Sequence, residues 1–232
     1  MSKQETQTSD YRIRKLIGIL GLSLPFILPI SGGEFLSSIS HYYYLTLSSL
    51  LFIIILSSFG LFLISYKGYK IDPETEKVSD DLVTNIAGLA ALIVVFIPTS
   101  CLDSASDIIA AFCNSCENPL FGHTDKIKGT IHLISAGVFI FSMGWMSKYK
   151  FTRSDNQRNN RIYRFCGNIV WSSIGVLIIL VILEKLKIHF WMDTYYVFIL
   201  ETCAIIPFGV SWLIKGKVIE DTIKLKNKFI KK

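Results

Sequence analysis

Apolar residues in this chain neither alternate nor recur once per helical turn; they run in long unbroken stretches, such as Leu50 to Leu56, separated by short polar segments. A helix needs about 20 apolar residues to cross about 30 Å of hydrocarbon. On that measure the pattern predicts membrane spans near 14–31, 42–65, 83–101, 127–147, 165–184 and 194–214. Helix is the required conformation, because lipid offers no partner to a backbone N–H or C=O and the in/out alternation of a β-barrel is missing. The expected fold is all-α: a six-helix transmembrane bundle over residues 1–215, followed by a basic segment, 216–232. In that segment Val218, Ile219, Ile223, Phe229 and Ile230 recur among lysines at helical spacing, which predicts an amphipathic helix lying along the membrane surface.

Composition agrees. With 51% hydrophobic and only 18% charged residues, the chain has too little polar surface for a soluble domain. The first stretch follows Arg12, Arg14 and Lys15 as a secretory signal would, but it runs into Ser31, Gly32, Gly33 and Glu34 rather than a small-x-small cleavage site. It is therefore expected to stay in the membrane as a span.

Charge orients the bundle. Of the 24 Lys and Arg residues, 20 fall in segments 1–15, 66–82, 148–164 and 215–232. The positive-inside rule makes that side cytoplasmic and puts both termini there. Counting acids, those segments carry +10 and the opposite loops −3.

Few residues break the apolar pattern. Glu201 is the one fully charged side chain in the interior of a span, away from its ends, with Pro207 further along the same helix; a carboxyl there is costly in lipid and should face a partner, water or another subunit. Asn85 and Asn168 are the further intramembrane polar candidates. On the basic side, Lys148, Lys150, Arg153, Arg158, Arg161, Arg164 and Lys217 gather with amides and tyrosines, a mixture suited to phosphates, stacked bases or anionic headgroups. On the opposite side Ser40, His41, Asp103, His123 and His132 supply nucleophile, base and zinc-ligand types. Cys101, Cys113 and Cys116 share one long loop there, where either a disulfide or a Cys-x-x-Cys metal pair fits the spacing. Tyr42 to Tyr44 read as part of an aromatic belt at the membrane boundary. No P-loop, GxSxG or HExxH is present.

Leu36 to Thr46, with its Ser-Ile-Ser and Tyr-Tyr-Tyr runs, Tyr66 to Tyr69, Ile86 to Gly88, Phe96 to Thr99 and Asn160 to Gly167 together resemble a family of uncharacterised bacterial multi-span membrane proteins. That resemblance implies a bacterial inner-membrane protein and supplies no chemistry. In size, span number, Ile/Lys/Asn bias and basic face the chain is also similar to the membrane channel subunit of the Hailong type of antiphage system. Such a resemblance implies an oligomeric channel whose gate responds to short single-stranded DNA made by a nucleotidyltransferase partner.

The expectation from sequence is thus a non-enzymatic, homo-oligomeric channel or pore-type effector, a tetramer by preference. It would be gated by a nucleotide or short single-stranded DNA on its basic face and would need no cofactor. The alternatives are a metal-dependent membrane hydrolase using the Ser/His/Asp cluster and a small-solute transporter.

Overall fold

The computed structural model describes residues 8–69, 76–103, 109, 111, 113, 120–153, 156–186 and 195–218, all helix, turn or coil with no strand among them. Helix α1 spans Thr8–Gly32, α2 Thr46–Ile64, α3 Asp80–Phe96, α4 Lys126–Trp145, α5 Gln157–Lys185 and α6 Tyr196–Lys215. Five of them are long and apolar enough to cross a membrane: α1, α2, α4, α5 and α6. Helix α3 has 17 residues. Residues 219–232, for which an amphipathic helix is expected, lie outside the described residues.

Short polar motifs set the helix boundaries. Ser79 accepts a hydrogen bond from Leu82 N at 3.0 Å, and Asp80 and Asp81 follow it in the first turn of α3, where exposed N–H groups favour an oxygen cap and negative charge. Asp125 caps α4 in the same way through Ile127 N at 2.7 Å. Helix α4 continues past Trp145 as a wider turn, Met146–Lys150, and then a tight one, Phe151–Arg153. The second span differs from the expected 42–65: Ile39–Tyr44 form a separate 3-10 turn and α2 begins at Thr46.

The six helices close into a ring, each packing on its neighbours in sequence and α6 returning onto α1. Facing glycines allow the closest approaches. A Cβ added to Gly88 of α3 would lie 2.6 Å from the Gly60 carbonyl of α2, one on Gly167 of α5 would lie 2.9 Å from the Gly144 carbonyl of α4, and one on Gly209 of α6 would lie 3.0 Å from the Gly18 carbonyl of α1. Small residues line these seams: Gly88, Ala90, Ala91 and Gly144 are buried within the ring, while Gly137 has open space around it.

Aromatic side chains fill the middle. Phe59 of α2, Phe139 of α4 and Phe208 of α6 form a triangle with ring centroids 5.6 to 6.4 Å apart. Trp212 extends the stack, 6.1 Å from Phe208 and 5.0 Å from Phe151. The outer faces are the reverse of a soluble protein's: Ile30, Leu61, Leu89, Ile134, Ile179 and Ile199 are all more than half exposed. That arrangement suits surroundings of hydrocarbon rather than water.

Candidate functional site

Polar side chains collect at the two ends of the ring, called here the basic end and the histidine end. At the basic end the chain leaves α2 through Tyr66, Lys67, Gly68 and Tyr69. Gly68 adopts φ +63°, a left-handed conformation open to glycine at little cost. The turn aims the Tyr69 N–H at Asp80 Oδ2, 3.1 Å away.

Asp80, 1% exposed, then accepts from Arg153 Nη2 at 2.7 Å, and Lys150 Nζ lies 3.6 Å from it. Glu76 receives the same two cations, Arg153 at 2.5 Å and Lys150 at 3.6 Å, and Lys150 also donates to the Val78 carbonyl. Two further cations are buried alongside. The Arg14 guanidinium sits 5.3 Å from the Tyr66 ring centroid and 5.9 Å from Tyr69, and its Nε has no hydrogen-bond partner. Lys215 lies 4.9 Å from the Tyr69 ring and donates to the Phe151 carbonyl at 3.2 Å. The Tyr69 ring thus serves three cations at once, with Arg153 6.0 Å away. Ring faces stabilise cations without neutralising them. Among the described residues, four buried or half-buried cations here face two carboxylates.

The basic residues expected to bind an anionic ligand therefore divide into groups. Lys150 and Arg153 belong to the buried junction. Arg158, Arg161 and Arg164 are exposed at the start of α5. Lys148 lies over Trp171 at 4.7 Å, and Lys217 over Tyr11 at 4.7 Å. Glu76, Asp80 and Lys215 were not singled out by sequence, Arg14 figured only as a flank of the first apolar stretch and Tyr69 only within a resemblance. The visible signal of the four charged residues is a charge at the border of an apolar stretch, which an ordinary headgroup contact would explain equally well.

At the histidine end, segment 37–45 crosses the mouth of the ring and is pinned by α6 and α4. Glu201 accepts from Ile39 N at 2.7 Å and from Ser38 Oγ, 3.1 Å from each carboxylate oxygen. His132 of α4 holds the Ile97 carbonyl through Nδ1 at 2.8 Å and Ser40 Oγ through Nε2 at 2.9 Å. A carbonyl only accepts, so Nδ1 carries the proton and Nε2 receives the Ser40 hydroxyl. That is the polarity of a nucleophile beside its base, with a carbonyl orienting the ring where a carboxylate often stands.

His41 is buried, with Nδ1 3.0 Å from Ser37 Oγ. Burial, reinforced by nearby His132, pushes its imidazole from 6.5 down to about 4, so it is neutral at physiological pH. His123 points elsewhere: its Nε2 donates to the Pro98 carbonyl at 2.8 Å and its Nδ1 accepts from Asp125 N at 3.2 Å. Asp103 ends the short turn Cys101–Asp103. Of the proposed ligands, His41 and His132 come together while His123 spends both ring nitrogens on neighbouring protein groups; no three His, Cys, Asp or Glu among the described residues converge on a metal-sized site.

Cys101 and Cys113 are joined in a disulfide; Cys116 lies outside the described residues. Tyr42, Tyr43 and Tyr44 are at most 1% exposed, a correction to their reading as boundary aromatics. Their hydroxyls donate inward to the carbonyls of Glu34, Leu120 and Thr99, and burial pushes the Tyr43 phenol up to about 12.

The other intramembrane polar residues separate. Asn85 of α3 is half-buried, its Oδ1 without a partner. Asn168 of α5 opens onto a groove of about 510 Å³ between α5 and α6, whose walls include Ser172, Ser173, Val176, Leu200 and Cys203. Set against protein families, curated proteins and solved structures, the chain finds no match in any of the three.

Proposed function

We propose that this chain is one subunit of a homo-oligomeric channel or pore-type effector of a bacterial inner membrane, with an anionic ligand acting on its basic end. In this reading all six helices span the bilayer, α3 included, since 17 residues make a helix about 26 Å long. Both ends of the chain lie on the cytoplasmic side. The cation excess favours that orientation, and so does the Cys101–Cys113 disulfide at the opposite end, because disulfides persist on the oxidising side of such a membrane.

One observation carries the reading: all six helices named above, or the connections that extend them, meet in the junction at the basic end. Arg14 comes from α1, Tyr66 and Tyr69 from the α2–α3 connection, Asp80 from the start of α3, Lys150 and Arg153 from the α4–α5 connection, and Lys215 from the end of α6, over the rings of Phe151 and of Tyr163 of α5. A phosphate that draws Arg153 away from Asp80 alters contacts shared by the whole ring. A ligand biases a gate only through such differential contacts. The aromatic triangle fills the middle of one copy, so in this reading conduction runs between copies, with a closed tetramer the preferred arrangement. By the resemblance to nucleotidyltransferase-linked antiphage channels, the ligand class is a nucleotide or short single-stranded DNA.

The test is planar-bilayer conductance of the purified protein with and without short single-stranded DNA on the basic side. Oligonucleotide should switch the current, steeply less so as salt rises, and Arg153→Ala should weaken the response. A silent bilayer from well-folded protein, or a current indifferent to oligonucleotide, overturns the reading.

A second reading is favoured by the Ser40–His132 pair: hydrolysis at the histidine end, with Ser40 attacking and His132 taking its proton. Labelling of the wild type by a fluorophosphonate, lost in Ser40→Ala and in His132→Gln, would shift the assignment to it.

A further inference from the structure

The outward face of α5 changes character along its length in a way that neither end-site accounts for. Arg161, Arg164, Asn168, Ser172 and Val176 follow at spacings of three and four, so they lie along one face of the helix. The first four are exposed, and Asn168, Ser172 and Val176 line the open groove against α6. Down this strip run two cations, then an amide, then a hydroxyl, then aliphatic carbon. Arg161 and Asn168 are two turns apart, about 10 Å along the axis. A bare amide and hydroxyl facing hydrocarbon are costly unless something pairs with them.

Given the spans and orientation proposed above, we infer that this groove binds an anionic glycerophospholipid. Its phosphate lies at Arg161 and Arg164, its glycerol and ester oxygens at Asn168 and Ser172, and one acyl chain along Val176 and Leu200. The order of the groups matches the order of chemistry along such a lipid, and the guanidinium pair matches its charge. The volume of about 510 Å³ holds part of one lipid and leaves the rest in the bilayer. A two-fold contact with a second copy fits less well on this face, because it would set Arg158, Arg161 and Arg164 against their own mates, and the head-to-tail contacts of the proposed tetramer are assigned to other faces.

Cys203 on the groove wall is exposed and Cys166 is buried, so Cys203 serves as the reporter once Cys116→Ser has removed the thiol left over from the Cys101–Cys113 disulfide. In nanodiscs containing phosphatidylglycerol, N-ethylmaleimide should alkylate Cys203 about tenfold more slowly than in phosphatidylcholine alone, the protection expected with lipid at tenfold its Kd. Arg161→Gln/Arg164→Gln should abolish the difference while leaving the rate in phosphatidylcholine unchanged. Native mass spectra of wild type should show one phosphatidylglycerol retained that the double variant loses.

Equal rates in the two lipids, or a lipid effect that survives in the double variant, overturns the inference. Protection by glycerol phosphate without acyl chains would assign the site to a free phosphate and also overturns it, as would Cys203–Cys203 cross-linking on oxidation, which would assign the face to a second copy. None of these readouts depends on conductance, so failure of the channel reading leaves the test intact.

Discussion

The Glu201 carboxylate lies 2.7 Å from the backbone N–H of Ile39, a residue 162 positions earlier in the chain. One side chain of the last helix thereby satisfies a backbone donor that begins the 3-10 turn, and with it the hydroxyl of Ser38. Exchange at this position should separate size from hydrogen bonding. Glu201→Leu strands both donors and should lower stability in detergent by about 2 to 4 kcal/mol, whereas Glu201→Gln keeps an acceptor for Ile39 and should cost about 1. Thermal unfolding of both variants decides it, and a leucine variant as stable as the glutamine variant refutes the tether.

His41 gives the histidine end a pH dependence with a defined sign. Its imidazole titrates near 6.5 when unfolded and at about 4 when buried beside Ser37 and His132. The unfolded chain therefore binds the proton first on acidification. The stability held above pH 6.5 declines as pH falls toward about 4, by at most about 3 kcal/mol. In His41→Asn the slope of unfolding free energy across that window should flatten, and an unchanged slope would place the titration elsewhere.

Asp80 compensates Arg153 and Lys150 inside the basic junction. Asp80→Asn leaves them with Glu76 alone and should cost about 3 to 5 kcal/mol. Adding Arg153→Met to that variant should recover part of the loss, because the second change removes one stranded charge. A double-mutant cycle with no coupling would show that the pair is not energetically linked.

Gly68 makes the turn that delivers Tyr69 to Asp80. Alanine there must adopt φ +63° and push its Cβ into the Asp80 side chain. Gly68→Ala should therefore destabilise by more than about 1 kcal/mol, the most that the same exchange gains where the backbone is unstrained. Alanine at Gly137, which has open space around it, is the control and should be tolerated or mildly stabilising.

The spans were legible because the bilayer requirement is written in uninterrupted apolar length, and five of the six predicted stretches coincide with long apolar helices, although the stretch expected at 165–184 begins at Gln157 and that at 127–147 runs on to Arg153. The start of α2 was not. Tyr42 to Tyr44 have the composition of a membrane boundary, and only long-range partners such as the carbonyls of Leu120 and Thr99 turn them inward. Glu201 was legible as a side chain needing a partner, but the partner, a backbone amide near the first helix, has no sequence signature. The buried junction was least visible. Local sequence at Arg14 and Lys215 is that of any helix flank, and their enclosure depends on the rings of Tyr66 and Tyr69, Phe151 and Tyr163, brought from three different segments.

The return of α6 onto α1 has a consequence for the order of synthesis. Of the described helices α1 is made first and α6 last, so the glycine seam at Gly18, which faces Gly209, stays uncovered until α6 is made. Glu201, Phe208, Trp212 and Lys215 all arrive with α6, bringing the pin for the 3-10 turn, the third ring of the aromatic triangle and the last cation of the junction. A chain halted before Tyr196 would hold five helices in an open arc that exposes polar groups to lipid, a form that membrane quality-control proteases should recognise. Cooperative completion by one late helix would leave few partly built bundles to leak.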